Sequence, residues 1–147
     1  MRVVLQRVTR ARVTVGDRLV GSIDGGLVAL VGVEAGDGAS DVEYIAAKIR
    51  DLRLFSDDRG RMNLSVVDVR GGVLAVSQFT LLGDSRKGRR PSFDRAAPPA
   101  EARALYEDLI RRLREGGLHV ETGEFQAMMR VDLVNDGPVT LLLDSRR

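Results

Sequence analysis

The chain has 147 residues, of which 44% are hydrophobic and 30% charged, and this predicts one globular domain over residues 1–147. No apolar run approaches the roughly 20 residues of a membrane-spanning helix, and the first residues lack the apolar core of a signal peptide, so we expect a cytoplasmic protein. Cysteine is absent and His119 is the one histidine. This nearly excludes thiolate, zinc and His-triad chemistry, and we expect no metal and no cofactor.

The first third of the sequence predicts a β-meander. Residues 3–15 form one long strand or two short ones, rich in β-branched side chains, and residues 19–23 follow after a Gly16-Asp17 turn. Residues 27–33 are continuously apolar, which is typical of a strand buried on both faces.

Two amphipathic segments predict two helices. The first has the capping-box spacing of Ser40 and Glu43 and runs to about Leu52. The second opens at Pro98-Pro99 and stops at Gly116-Gly117. The apolar stripes are Val42, Ile45, Ala46 and Ile49 in the first helix, and Leu105, Leu109 and Leu113 in the second.

Strands are predicted around and after these helices. Residues 57–60 read as a hairpin turn, and residues 73–79 as a strand that is buried at its start. The last three strands are expected at residues 118–120, 128–134 and 139–143. We therefore expect an α/β fold: mixed β-sheets with two covering helices in a three-layer β/β/α sandwich, forming a homodimer through an exposed sheet edge.

A long loop over residues 83–97 carries a compact basic run. The net charge of the chain is only +2, but four cations are crowded together: Arg86, Lys87, Arg89 and Arg90. Guanidinium groups match phosphate oxygens, so the run is a candidate nucleic-acid contact, although such runs are usually solvated surface.

Just before this loop, Ser77-Gln78-Phe79-Thr80 ends the predicted buried strand. Ser77 and Gln78 offer donors, and the amides of Phe79 and Thr80 could hold an oxyanion. The alternative is that these residues are simply the polar face of a strand. Thr80 could also be a nucleophile, but it would need an activating base, and His119 lies in an alternating strand pattern.

Near the end of the chain, Asn135-Asp136-Gly137-Pro138 has the composition of a hairpin turn. A proline directly after the glycine weakens the start of the returning strand. Glycine opens backbone angles closed to other residues, and proline makes a cis peptide bond accessible.

Several motifs occur together in one order: residues 6–8, 60–64, 77–81, 90–93, 122–129 and 135–140. In combination they closely resemble the D-aminoacyl-tRNA deacylase family, in the form common to bacteria and eukaryotes, over essentially the whole chain. The resemblance implies a homodimeric hydrolase that cleaves the ester between a D-amino acid, or wrongly attached glycine, and the terminal adenosine of tRNA.

The resemblance also implies roles for individual residues. Gly137 and Pro138, joined by a cis peptide bond, would enter the partner's pocket and exclude an L side chain. Residues 77–80 would surround the adenosine and the ester, with the tRNA 2′-hydroxyl assisting the attacking water. Phe125 and Met129 match pocket-lining positions or are core residues, and Arg7 would brace the Gly-Pro loop. The basic residues 86–90 would meet acceptor-stem phosphates.

Two alternatives stay open at this point. One is a hydrolase of the same fold with Thr80 as covalent nucleophile. The other is a non-catalytic tRNA-binding module built around the basic loop.

Overall fold

The computed structural model describes all 147 residues. It contains eight β-strands, two α-helices and one short 3-10 turn. The strands are β1 (Arg2–Val15), β2 (Arg18–Ile23), β3 (Gly26–Gly32), β4 (Phe55–Ser56), β5 (Met62–Leu64), β6 (Gly72–Ser77), β7 (His119–Thr122) and β8 (Arg130–Asp144). The helices are α1 (Ala39–Asp51) and α2 (Pro99–Glu115), and the 3-10 turn spans Phe79–Leu82.

Six of the strands form one mixed sheet in the order β2-β1-β3-β6-β7, with β8 paired to β1. β1 is the organising strand, because it pairs antiparallel with β8 along most of its length, with β3 through its first half and with β2 through its second half. The pairs β3–β6 and β6–β7 are parallel. The predicted α/β class with a mixed sheet and two helices is confirmed.

Each face of the sheet carries a buried apolar cluster. One cluster of 22 buried residues lies between the sheet and the two helices, and a second cluster of seven lies on the opposite face. β3 supplies both clusters alternately, since Leu27 belongs to the first and Val28 to the second. Alternation of this kind explains why the sequence of β3 is continuously apolar.

The first helix begins two residues earlier than the capping box predicts. Its N-cap is Gly38, and the Asp41 carboxylate accepts a hydrogen bond of 2.9 Å from the Gly38 amide. The prediction that Ser40 and Glu43 cap the helix is wrong, because Asp41 occupies the position that reaches back to the cap. The predicted apolar stripe is confirmed, since all four of its residues are buried.

The end of the chain differs from the prediction in strand number. β8 is one strand from Arg130 to Asp144, not two strands joined by a turn. Its two halves both pair with β1, and four residues between Asn135 and Thr140 are accommodated opposite Arg7 as an irregularity. We call residues 136–139 the Gly137 bulge.

Neither helix has the length and apolar composition that crossing a membrane requires.

Candidate active site

The first group of predicted site residues lies where β6 leaves the core. Ser77 is the last residue of the strand and is half-buried, while Phe79 and Thr80 are exposed. The Gln78 amide donates to the Val31 carbonyl at 2.7 Å, which ties the end of β6 to β3. The chain then turns at once into the 3-10 helix Phe79–Leu82. We call residues 77–82 the Ser77 turn.

Two main-chain donors are left free by the geometry of the Ser77 turn. The first amide bonded inside it is that of Leu81, which donates to the Gln78 carbonyl at 3.2 Å. The amides of Phe79 and Thr80 precede this bond, and the first amides of a helix have no acceptor within it. Adjacent free donors on an exposed turn can stabilise a negatively charged oxygen.

The Thr80 hydroxyl has a polar neighbour but no base. Gln78 Nε2 donates to Thr80 Oγ1 at 2.5 Å, and an amide nitrogen cannot take up the hydroxyl proton. His119 pairs with Gly72 at the far end of β6, which puts it about 17 Å from Ser77 by strand rise. Nothing in this arrangement activates Thr80 as a nucleophile.

The Gly137 bulge projects from β8 with Gly137 and Pro138 exposed. Gly137 has φ +108°, a backbone angle that favours glycine. The peptide bond before Pro138 is trans, so the expected cis bond is wrong for this structure. The left-handed glycine and the extra residues of the bulge provide the change of direction, so the chain leaves β1 and rejoins it without a cis bond.

Arg7 and Asn135 hold the bulge. Arg7 Nε donates to the Asp136 carbonyl at 3.3 Å, and Arg7 Nη1 donates to the Leu54 carbonyl at 2.6 Å. Asn135 Nδ2 donates to the carbonyls of Arg7 and Val139 at 2.9 and 3.1 Å. The contact expected of Arg7 is therefore present. The sequence does not predict the contacts of Asn135 and Leu54, although asparagine side chains commonly hydrogen-bond nearby backbone in turns.

A methyl group at Gly137 would meet this brace. A Cβ built on Gly137 would lie 2.3 Å from Arg7 Nη2. Within one chain, the direction in which this Cβ would point is occupied by the Arg7 guanidinium. A substitution here therefore disturbs the bulge itself.

The Ser77 turn and the Gly137 bulge do not meet within one chain. The bulge on β8 lies opposite Arg7 of β1. Arg7 pairs with Leu27 of β3, and Leu27 pairs with Val73 of β6, which lies four residues before Ser77. Three strand spacings and four residue rises separate the two groups by roughly 20 Å. One substrate ester cannot contact both groups of the same chain.

Phe125 and Met129 lie against different cores. Phe125 stacks on Tyr106 of α2 at 6.1 Å between ring centroids and packs on the cluster beneath the helices. Met129 packs on the cluster of the opposite face, beside Gly123. Both are partly buried, so each has core contacts and an accessible part.

The basic run forms the tip of a closed loop. Asp84 and Ser92 exchange backbone hydrogen bonds of 2.7 and 2.9 Å, which close the loop directly after the Ser77 turn. Arg86 is neutralised by Asp84, to which it donates at 2.6 Å, and this guanidinium holds the pKa of the Asp84 carboxyl far below its usual range. The remaining cations are exposed and form no ion pair within the chain: Lys87, Arg89 and Arg90.

Comparison with known proteins identifies the family. The family model described as D-Tyr-tRNA(Tyr) deacylase matches residues 4–144. A protein of Koribacter versatilis named D-aminoacyl-tRNA deacylase is 60% identical over 100% of this chain and 99% of its own length. One of Symbiobacterium thermophilum with the same name is 56% identical over 100% and 97%.

The chain belongs to the D-Tyr-tRNA(Tyr) deacylase family.

Solved structures share the fold of this chain. The structure named c-Myc DNA Unwinding Element Binding Protein superposes with a TM-score of 0.92 at 39% identity, covering 98% of both chains. A probable eukaryotic D-amino acid tRNA deacylase superposes with a TM-score of 0.78 at 17% identity over 97% of each chain, which supports the fold alone. The family resemblance expected from the motifs, and with it the enzyme class, is confirmed.

Family membership leaves the individual residue roles as predictions. No group of three or more His, Cys, Asp or Glu side chains is placed to hold a metal ion.

β8 pairs only with β1, and it carries several exposed aliphatic side chains: Val131, Val134, Leu141 and Leu142. A long edge strand with exposed apolar side chains is a natural pairing surface for another chain.

Proposed function

We propose that this chain hydrolyses the ester between a D-amino acid and the terminal adenosine of tRNA, and also removes glycine wrongly attached to tRNA. The observation that carries the proposal is the identity of 60% with a curated D-aminoacyl-tRNA deacylase over the full length of both chains. Products are the free amino acid and the tRNA, and the reaction takes place in the cytoplasm without a cofactor.

The amides of Phe79 and Thr80 polarise the scissile carbonyl in this proposal. Their position at the start of the Ser77 turn, without acceptors inside it, supports the assignment. One such donor typically lowers the barrier by about 2.7–4 kcal/mol. Ser77 and Gln78 contact the adenosine, and the tRNA 2′-hydroxyl orients the attacking water. Hydrolysis then requires no side-chain base, which agrees with the absence of one beside Thr80.

Selectivity for the D-enantiomer comes from the Gly137 bulge of a second subunit. Because the bulge and the Ser77 turn are separated by roughly 20 Å within one chain, a complete site needs a partner. The free edge of β8 and its exposed aliphatic side chains support a homodimer. Main chain at Gly137 and Pro138 then faces the α-carbon and excludes an L side chain by collision.

The remaining assigned residues bind the rest of the substrate. Phe125 and Met129 line the pocket from the segment after β7, and Arg7 acts by holding the bulge. The exposed cations of the basic loop contact acceptor-stem phosphates; Arg86 adds little free charge because Asp84 neutralises it.

The direct test is deacylation of D-Tyr-tRNA beside L-Tyr-tRNA. We expect release of D-tyrosine far above the rate in buffer, with L-tyrosine released at the buffer rate. Equal release of both enantiomers would contradict the selectivity. Release of neither above buffer would contradict the enzyme activity.

A second candidate is a binding module for nucleic acid without catalysis. It is favoured by the similarity to a protein whose name describes binding to a DNA element, together with the exposed basic loop. This candidate predicts salt-dependent binding of tRNA or DNA but no acceleration of ester hydrolysis, so the same deacylation assay separates the two.

A further inference from the structure

The β4–β5 hairpin carries cations that the proposed active site does not use. Arg53 precedes β4, and Arg59 and Arg61 lie in the turn between the strands. All three side chains are exposed and form no ion pair; Arg53 makes only a hydrogen bond of 3.2 Å to Asn63. Unpaired arginines at this density on a short hairpin are suited to phosphate groups.

The acids of the hairpin leave these cations free. Both carboxylate oxygens of Asp57 are engaged in holding the turn: Oδ1 accepts from the amides of Arg59 and Arg61 at 2.9 and 3.0 Å, and Oδ2 from Asn63 Nδ2 at 3.4 Å. These hydrogen bonds lower the pKa of Asp57, the one from the Arg61 amide most. Asp57 therefore fixes the positions of Arg59 and Arg61 without neutralising their guanidinium groups. Asp58 is the one exposed carboxylate without a partner there.

The hairpin is attached to the Gly137 bulge. Arg7 donates to the carbonyl of Leu54, the residue before β4, and to the carbonyl of Asp136 in the bulge. The turn of the hairpin lies at most about 13 Å from Leu54, because four residues at strand rise separate Leu54 from Asp58. Whatever is bound against the bulge is therefore within reach of the hairpin arginines.

We propose that Arg53, Arg59 and Arg61 contact the backbone phosphates of the tRNA whose aminoacyl end lies against the Gly137 bulge of the same subunit. This inference rests on the proposed function. Since the bulge completes the site of the partner subunit, each tRNA is held from two sides: by the basic loop of one subunit and by the hairpin of the other.

The experiment compares a hairpin variant with a charge-matched control. Arg59→Gln/Arg61→Gln removes two cations from the hairpin. Lys48→Gln/Arg70→Gln removes two cations that likewise form no ion pair, one on α1 and one in the turn before β6. Binding of deacylated tRNA-Tyr is measured between 50 and 300 mM KCl. The hairpin variant is expected to lower the slope of log Kd against log salt by about 1.4–1.8, and the control by much less.

Asp58→Asn is expected to change the affinity for tRNA in the opposite direction to the hairpin variant. Removing a carboxylate beside bound phosphates is expected to tighten tRNA binding a few-fold, a change that loosening of the hairpin would not produce. The Asp58 side chain is exposed, so the substitution leaves the buried core unchanged.

A truncated substrate separates this inference from the proposed function. The wild-type protein is assayed on D-Tyr-tRNA and on D-tyrosyl-adenosine, which lacks the stem phosphates. For the hairpin variant we expect kcat/KM on the tRNA to fall about tenfold relative to kcat/KM on the adenosine ester. If wild type hydrolyses both substrates but the hairpin variant and Asp58→Asn bind tRNA as wild type does, the hairpin contact is wrong and the deacylase function stands. If wild type hydrolyses neither, the proposed function fails and this inference fails with it.

Discussion

The Ser77 turn and the Gly137 bulge are both built from main chain, but they are held in opposite ways. The turn follows a strand buried on both faces and is anchored to β3 through the Gln78 amide. The bulge lies on an exposed edge strand and is held mainly by the side chains of Arg7 and Asn135. The core fixes the first region, whereas the second is a projection that becomes functional only against another surface.

Because of this difference, the two regions are suited to different tasks. A donor pair that must not move is well placed at the end of a core strand, because its position is then set by packing. A steric filter must reach into a pocket, and a projecting bulge with a left-handed glycine can do so. Variants that alter one region at a time separate these two roles.

The largest effect is expected from Phe79→Pro. Residue 79 is the first position of the 3-10 helix, where proline is tolerated, and the substitution removes one amide donor. We expect kcat on D-Tyr-tRNA to fall by roughly 10²–10³, the usual cost of one oxyanion donor. Phe79→Leu, which keeps the amide but loses the edge contact with Phe93, is the control. Equal losses in both variants would assign the effect to the ring.

Gly137→Ala is expected to reduce turnover of D-Tyr-tRNA by about tenfold, which corresponds to about 1.4 kcal/mol. The added Cβ meets Arg7, and the positive φ is strained for alanine. Gly117→Ala is a matched control, because Gly117 also has positive φ but has no atom within 4 Å of a built Cβ. The backbone strain should cost each variant about 1–2 kcal/mol of unfolding free energy, and Gly137→Ala should lose more because its Cβ also meets Arg7. Only Gly137→Ala should lose activity, and equal activity in the two would contradict the role of the bulge.

Thr80→Ala tests the remaining nucleophile hypothesis. The main-chain donors are unchanged and only the hydrogen bond to Gln78 is lost, so we expect a decrease of about three- to tenfold in kcat. A covalent mechanism requires loss of nearly all activity. Single-turnover kinetics on D-Tyr-tRNA distinguish the two results.

The smallest effect is expected from the loop beside the Ser77 turn. Arg89→Gln/Arg90→Gln should weaken tRNA binding a few-fold at moderate salt and lower the salt slope by about 1.4–1.8. Arg86→Gln should change the slope less, since its charge is already compensated by Asp84. A larger change for Arg86 would mean that this ion pair opens when tRNA binds.

Features that depend on the spacing of apolar side chains within one helix or strand could be predicted from the sequence. The apolar stripe of α1 and the doubly buried β3 follow directly from side-chain spacing. The cap of α1 was misassigned because Ser40-x-x-Glu43 and Gly38-x-x-Asp41 overlap, and only the observed backbone distinguishes them. The second helix buries Tyr106 and Ile110 beside Leu109 and Leu113, so its buried face is wider than the predicted leucine stripe.

Features that depend on pairing between distant segments were not predictable locally. Asn-Asp-Gly-Pro is a turn signal, yet β8 continues through it because β1 is long enough to pair with both halves. The brace from Arg7 to Leu54 likewise joins segments far apart in sequence. The candidate residues themselves came from motif resemblance, and their separation into two regions became visible only in the sheet register.

The claim that the Gly137 bulge of one subunit completes the site of the other is tested most directly with mixed dimers. One subunit carries Phe79→Pro and the other carries Gly137→Ala, and the purified mixed dimer is assayed on D-Tyr-tRNA beside both parent homodimers. If each bulge completes the site of the partner, one site of the mixed dimer combines the intact turn of the Gly137→Ala subunit with the intact bulge of the Phe79→Pro subunit. We therefore expect half of the wild-type activity. Activity equal to the average of the two defective homodimers would contradict it.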